Sequence, residues 1–352
     1  LQRLSDIIED NSWNGDREKL PFHISDSLWS SLCSESERCM SAKCPFRESC
    51  YYHKERHHLE KCHFVVVNHA LFAAHLKVSQ ETAGKTTLLP GYEAVIFDEA
   101  HHLEEVFRNS LTYDVGYNHI RRLSDDTIRI ISRDPIAKLV SPGEKQRMES
   151  ALEHLLDLVH KALIKLDPSS KELQARSSKG ASRSFYGFNQ DKCRLSEPEM
   201  IDESITSSLK EFAESIAAWT DFDLSDEERF EVQALARRSL STAARMESIS
   251  ILEGDGDSYV YWSEADGRGK QRHITLNGSP LNVGDYLNEN LWSAIPCAVL
   301  TSATLSTGGS FEYIKRLLTI DAKEEIVGSP FDYANQVCLC VPNDPRGKNP
   351  NN

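Results

Sequence analysis

Two adjacent carboxylates that follow a short apolar run are the side chains in this sequence best suited to chemistry. The run at 95–97 (VIF) leads directly into Asp98, Glu99, Ala100 and His101. At the carboxyl end of a buried strand, one carboxylate can hold Mg²⁺ through its water shell while its neighbour orients and deprotonates an attacking water. The pattern therefore favours nucleotide hydrolysis over a strand that merely ends in an acidic turn.

A second apolar run, at 298–300 (AVL), ends in a cluster of small hydroxyl residues. Thr301, Ser302 and Thr304 follow it at once. Hydroxyls in such a turn can bond a neighbouring carboxylate or respond to the state of a γ-phosphate. The cluster alone is a weak signal, because Ser and Thr often end strands. Together with the acidic run it becomes a strong one.

Five of the nine cysteines lie within the first 62 residues, and this local crowding favours a metal or cluster site over a disulfide scaffold. Cys39, Cys44 and Cys50 could bind one face of an iron–sulfur cubane, with a fourth ligand from elsewhere. A structural Zn²⁺ held by the same thiolates with His53 is the alternative. Of the two gaps between these cysteines, only the one from Cys39 to Cys44 has a length usual in zinc sites.

The acidic and hydroxyl runs, DEAH and TSAT, resemble motifs II and III of superfamily 2 helicases. The segments VNHAL at 67–71 and GSPF at 328–331, with the cysteines upstream, narrow this resemblance. The chain is similar to DinG/XPD-type iron–sulfur DNA helicases and closest in character to the bacterial DinG branch. The similarity covers most of the chain, although the helical middle resembles the family in character rather than in motifs.

The resemblance implies a set of roles for these residues. Asp98 would hold Mg²⁺ and Glu99 would activate water, as the catalytic pair. Cys39, Cys44 and Cys50 would ligate a [4Fe–4S] cluster; the first cysteine of the family's set is expected before residue 1, and Cys33 is a less favoured substitute. The residues expected to couple ATP hydrolysis to strand movement are His101, Thr301, Ser302 and Thr304.

The resemblance also implies a cytoplasmic ATP-dependent DNA helicase that moves 5′ to 3′ on single-stranded DNA, unwinds forked duplex DNA, and acts in DNA repair or replication. The phosphate loop is expected before residue 1, and a second motor domain with an arginine finger after residue 352. The chain is therefore expected to be a fragment that does not hydrolyse ATP alone. The alternatives are a non-catalytic nucleic-acid-binding module with a structural metal, and a redox-regulated protein of nuclease type that keeps the motor fold.

The elements that must position these residues follow from hydrophobic periodicity. The apolar runs at 63–74 and 92–97 predict buried strands of a parallel sheet. Helical spacing recurs at 148–166 and 205–219, and Ser225 with Glu228 predicts a capping box that opens the next helix. Strand patterns return at 258–262, 298–300 and 337–341.

The resulting fold class is α/β: one sheet, interpreted as a partial RecA-like P-loop NTPase motor domain, with a Cys-rich iron–sulfur insertion and a helical arch-like insertion. The predicted domains are an iron–sulfur unit at 1–62, the DEAH-bearing part of the motor at 63–107, the arch-like insertion at 108–257 and the return to the motor at 258–352.

Charge and the remaining motifs set limits on the function. There are 40 Lys and Arg against 54 Asp and Glu, a net charge of -14, which argues against a chain whose whole surface binds nucleic acid but not against local basic grooves. The sequence contains no run of about 18 apolar residues, so it predicts no membrane-spanning helix. Gly84-Lys85-Thr86 lacks the upstream glycine of a phosphate loop and predicts a connecting loop. The basic and aromatic segment 171–194 is interpreted as a solvated loop rather than a single-strand site, and His75 as a surface or packing residue.

Overall fold

The computed structural model describes residues 2–9, 13–25, 28–29, 32–33, 39, 44–82, 84, 86–170, 173, 191–198, 201–267, 272–338 and 340. Over these residues the chain is a mixed α/β structure with two separate sheets. The α/β class is confirmed, but the single sheet predicted from the sequence is wrong. The four strands that lie between residues 113 and 280 pair antiparallel with one another, in a sheet separate from the parallel pair.

The strands and helices are as follows. The strands are β1 Ala94–Phe97, β2 Tyr113–Gly116, β3 Lys192–Arg194, β4 Tyr259–Asp266, β5 His273–Pro280 and β6 Cys297–Leu300. The helices are α1 Gln2–Glu9, α2 Tyr51–Leu59, α3 His69–Glu81, α4 Leu103–Leu111, α5 Tyr117–Ile131, α6 Ile136–Leu139, α7 Pro142–Lys165, α8 Glu203–Ala217, α9 Asp226–Ile251, α10 Gly284–Leu287, α11 Glu312–Leu318 and α12 Tyr333–Gln336.

The smaller sheet is a parallel pair, β1 with β6, in which Ala94 lies opposite Cys297 and Phe97 opposite Leu300. Helices α3, α4, α10 and α11 supply the hydrophobic core against it. The buried members of this core are Phe72, Ala73, Leu76, Leu89, Phe97, Ala100, Leu103, Phe107, Val283, Leu287, Leu291, Ile314 and Leu318. Because β1 alternates, Phe97 is 2% exposed and its neighbour Ile96 is 70% exposed.

The larger sheet has the order β2-β5-β4-β3 and is antiparallel throughout. Residues of α5, α7, α8 and α9 share a core with Val115 of β2, Tyr261 of β4 and Leu276 of β5. A further core, around Phe212 and Trp219, lies among the helices alone. The domain boundaries at 62, 107 and 257 stay predictions.

The helix predictions after residue 140 are confirmed. The periodic stretches at 148–166 and 205–219 fall on α7 and α8. Helix α9 begins with the predicted capping box: the Ser225 hydroxyl accepts from the Glu228 N–H at 3.3 Å, and the Glu228 carboxylate accepts from the Ser225 N–H at 2.9 Å.

The strand predicted over 63–74 is wrong. Asn68 accepts a hydrogen bond from the Leu71 N–H at 2.8 Å and caps helix α3, which begins at His69. The residues before it belong to no strand of the described structure, and Phe64 and Val66 are 89% and 97% exposed. Val337, Cys338 and Cys340 are not in a strand, and the rest of the predicted 337–341 strand lies outside the described residues. No helix in the described part of the chain is long and apolar enough to span a membrane.

Candidate active site

The parallel pairing of β1 with β6 brings the acidic and hydroxyl runs to the same edge of the sheet. The Thr301 N–H donates to the Phe97 carbonyl at 2.9 Å, and the Ala100 N–H donates to the Thr301 carbonyl at 3.0 Å. These bonds continue the ladder past the ends of both strands. The turns that follow β1 and β6 are about 200 residues apart in sequence. They nevertheless lie side by side and form one surface, since parallel strands end on the same side of a sheet.

The Glu99 carboxylate lies at the centre of this surface. Its Oε2 accepts a hydrogen bond from the Ser302 hydroxyl at 3.1 Å, and lies 3.2 Å from Nδ1 of His101. Nδ1 of His101 is also 2.8 Å from Oγ of Ser302. The Thr304 N–H donates to the same Ser302 oxygen at 3.2 Å, and the two hydroxyls are 3.4 Å apart. The carboxylate is thus held by side chains from both runs.

Glu99 also has an unusual backbone conformation. Its φ of 50° and ψ of 45° place it in the left-handed region, which non-glycine residues seldom occupy. Such conformations persist where the surrounding structure holds them, and they are common at functional sites. Here the buried Phe97 and Ala100 on either side fix the turn. The Glu99 side chain is exposed to solvent at the end of the strand.

Asp98 is exposed at the same strand end, and its Oδ1 accepts the Glu99 N–H at 3.0 Å. No ion pair to Asp98 is found among the described residues. Carboxylate oxygen is the donor type that Mg²⁺ prefers, and Mg²⁺ commonly uses only one or two protein carboxylates while keeping waters. The donor chemistry of Asp98 therefore fits a magnesium ion.

The structure does not bring Cys39, Cys44 and Cys50 into a ligand set. All three are free and half-buried, in the segment leading to α2, whose first turn follows Cys50. Sγ of Cys39 lies 3.7 Å from Nε2 of His53. Over the described residues, no three His, Cys, Asp or Glu side chains are grouped so that they could hold one metal ion. Cys33 is free and exposed, and does not complete a set.

Two further segments considered in the sequence analysis, 84–86 and 171–194, do not belong to the site around Glu99. Gly84 follows the end of α3, with its N–H donating to the Ser79 carbonyl at 2.7 Å, so this stretch follows a helix instead of opening one. Lys85 lies outside the described residues, as does most of 171–194. Lys192 and Arg194, which are described, lie on β3 and pair with Glu264 and Asp255.

His75 has a structural role that the sequence did not reveal: its side chain binds the loop before β1. Its ring is 5% exposed, and Nδ1 accepts the backbone N–H groups of Leu88 and Leu89, both at 3.2 Å. An unprotonated Nδ1 is needed for both bonds. Burial, with the Arg56 cation as a second cause, lowers the pKa of His75 below 6.5. A lone histidine directly after an apolar run was the only available signal, and it did not identify the partners.

We expect protonation of His75 to make the folded chain less stable in mild acid. The folded-state pKa is lowered, so the stabilisation is complete above the ordinary pKa of about 6.5 and is lost as pH falls below it. The His75→Gln variant should lose this pH dependence, whereas His58→Gln, on the exposed face of α2, should keep it. The measurement is the free energy of unfolding in urea between pH 5 and 8. Equal pH profiles for His75→Gln and the unaltered chain would contradict the assignment.

Comparison with known proteins identifies relatives along most of the chain. It is 30% identical to the ATP-dependent DNA helicase YoaA of Haemophilus influenzae over 319 residues, which is 88% of this chain and 43% of that protein. It is 26% identical to the ATP-dependent DNA helicase DinG of Photobacterium profundum over 97% of this chain and 50% of that protein. Against DinG of Escherichia coli K12 the identity is 22%, over 97% and 48%. The chain spans about half the length of the curated relatives it matches. No protein-family model matches it.

Proposed function

We propose that this chain, a homologue of the DinG and YoaA ATP-dependent DNA helicases, is the part of such an enzyme that carries the water-activating carboxylate. The observation that supports this most strongly is the junction of the acidic and hydroxyl runs at one strand edge, where Ser302 and His101 hold Glu99. In this proposal the parallel pair belongs to a RecA-like motor domain, and the region 108–257 is an arch-like insertion.

Each residue of the site then has a distinct role. Asp98 holds Mg²⁺, which when bound neutralises charge on the β- and γ-phosphates of ATP. Glu99 accepts a proton from the attacking water at its carboxylate. Ser302 and His101 fix the orientation of that carboxylate by the contacts described above. Thr301 links the two runs through its backbone, and Thr304 holds Ser302, so a shift of β6 is transmitted to Glu99.

The substrate and setting are proposed from the same homology. The full-length enzyme moves 5′ to 3′ on single-stranded DNA, unwinds forked duplexes, and acts in DNA repair or replication in the cytoplasm. The test compares ATP hydrolysis with and without single-stranded DNA, and unwinding of duplexes with a 5′ or a 3′ tail. DNA-dependent hydrolysis with unwinding from the 5′ tail supports the proposal. DNA binding without hydrolysis would instead support a non-catalytic nucleic-acid-binding module.

Iron–sulfur binding by Cys39, Cys44 and Cys50 is a further part of the proposal. It rests on three soft, free thiols within twelve residues, and on the resemblance to the iron–sulfur helicases. The described geometry counts against a preformed site, so the thiols would have to converge on the cluster as it binds.

We expect anaerobically purified full-length protein to contain iron and acid-labile sulfide. Each of Cys39→Ser, Cys44→Ser and Cys50→Ser should remove them, because a thiolate ligand is lost from one shared cluster. Cys297→Ser, on β6, is the matched control and should retain the iron. Visible absorbance and metal analysis make the measurement. Stoichiometric zinc without iron would mean that the site is a structural zinc site.

A further inference from the structure

Arg56 connects helix α2, which follows the Cys-rich segment, to the loop that precedes β1. Its guanidinium donates to the Tyr52 hydroxyl at 2.6 Å and lies over the Tyr52 ring, 5.5 Å from its centroid. On the other side, Nη2 of Arg56 lies 3.5 Å from Oγ1 of Thr87. No carboxylate partner of Arg56 is found among the described residues. The cation is therefore held between its own helix and the loop.

The loop around Thr87 is firmly attached to the core of the small sheet. Leu88 and Leu89, the next two residues, give their N–H groups to the buried ring of His75. Leu89 is itself 6% exposed and is part of the core. On the other side of Thr87, the Thr86 N–H donates to the Thr82 hydroxyl at 3.0 Å. Because these bonds tie the loop to His75 on α3, a displacement of Thr87 should also displace α3.

From His75 a row of aromatic rings leads to the strand that ends in the carboxylates. The centroids of His75 and Phe72 are 6.1 Å apart, and those of Phe72 and Phe97 are 5.2 Å apart in an edge-to-face contact. Phe97 is the residue immediately before Asp98. Close-packed interiors transmit small displacements because they contain few voids in which to dissipate them.

We infer that Arg56 is a positioning residue for the carboxylate pair, acting through Thr87, His75 and the rings of Phe72 and Phe97. The inference rests on the proposed function and deepens it, since it assigns to the Cys-rich unit control over the geometry of Asp98 and Glu99. Arg56 does not contact the site itself. Its effect is on the turnover number for ATP, not on ATP binding.

The first test measures ATP hydrolysis by the full-length protein carrying Arg56→Gln. We expect kcat to fall about two- to thirtyfold, the range found for residues along such routes, with KM unchanged. Arg56→Lys, which keeps the charge and much of the reach, should retain most of the rate. Arg47→Gln is the matched control: it removes an exposed cation from the same unit and should leave kcat unaltered. An unchanged kcat in Arg56→Gln overturns the inference.

A second variant separates positioning from folding. Thr87→Val removes the hydroxyl that meets Arg56 but keeps the side-chain shape, and should reproduce the loss of kcat without lowering the midpoint of thermal unfolding. The double variant should be no slower than Arg56→Gln alone, because both changes break one contact. Additive losses would overturn the inference, since they would mean that the two residues act independently.

Amide hydrogen exchange tests the route without relying on activity. In Arg56→Gln, peptides covering 86–97 should exchange faster, whereas those of α9 should be unaffected. Unchanged exchange over 86–97 overturns the inference even if the enzyme is slower. If the unaltered full-length protein hydrolyses no ATP, the proposed function fails, and the exchange measurement still decides whether Arg56 orders the loop.

Discussion

Replacing Glu99 by Gln is expected to lower the rate of ATP hydrolysis by the full-length protein about 10²- to 10⁴-fold, the usual effect of losing a positioned general base. Glutamine retains an oxygen that can accept a hydrogen bond from the Ser302 hydroxyl, so the turn should keep its shape. It cannot take a proton from water. ATP binding should persist, because the proposed Mg²⁺ ligand is Asp98.

The measurement pairs steady-state hydrolysis with binding of a fluorescent ATP analogue. Glu105→Gln is the matched control, since it removes an exposed carboxylate from the first turn of α4, next to the site. It should hydrolyse ATP at the normal rate. Near-normal hydrolysis by Glu99→Gln would refute the assignment of the general base, whereas loss of binding would point to a structural effect.

Replacing Phe97 by Ala is expected to cost about 3–5 kcal/mol of stability, as for other large buried aromatics. The side chain is 2% exposed, and its ring meets those of His69, Phe72 and Trp292 at centroid distances of 6.0, 5.2 and 6.1 Å. Its removal leaves a cavity directly beneath the strand end that carries the carboxylates. Stability and site geometry should therefore be lost together.

The adjacent residue supplies the control. Ile96→Ala alters the same strand but removes a side chain that is 70% exposed, and it should cost less than about 1 kcal/mol. Urea unfolding of both variants, followed by circular dichroism, gives the comparison. Similar losses for the two variants would mean that β1 does not have the buried and exposed faces described.

Much of the candidate site could be predicted from the sequence because it depends on local chemistry. Adjacent carboxylates after an apolar run, and hydroxyls after another, are recognisable wherever the strands lie. The amphipathic helices and the Ser225 capping box were predicted for the same reason, since periodicity and capping act within a few residues. The homology with DinG and YoaA agrees with the family resemblance drawn from those motifs.

Local patterns failed in two ways: apolar composition obscured a capping signal, and the pairing of distant strands left no signal in either strand. The apolar run at 63–74 has strand-like composition, but the Asn68 cap starts a helix within it. The separate antiparallel sheet was missed because hydrogen bonds between strands as distant as β2 and β5 leave no trace in either segment alone. The ligand set of Cys39, Cys44 and Cys50 stays a prediction, because their spacing does not fix where the side chains meet.

Residue type and periodicity are local properties, so they identified the candidate reactive groups and the helices predicted at 148–166, at 205–219 and after Ser225. Which groups share a site depended on the tertiary fold. The contact of Glu99 with Ser302 requires β1 to lie parallel to β6, and the pairing of His75 with Leu88 and Leu89 requires the loop to fold back on α3. Such contacts join residues that are remote in sequence or separated by a turn, and their free energy depends on packing that no single segment contains.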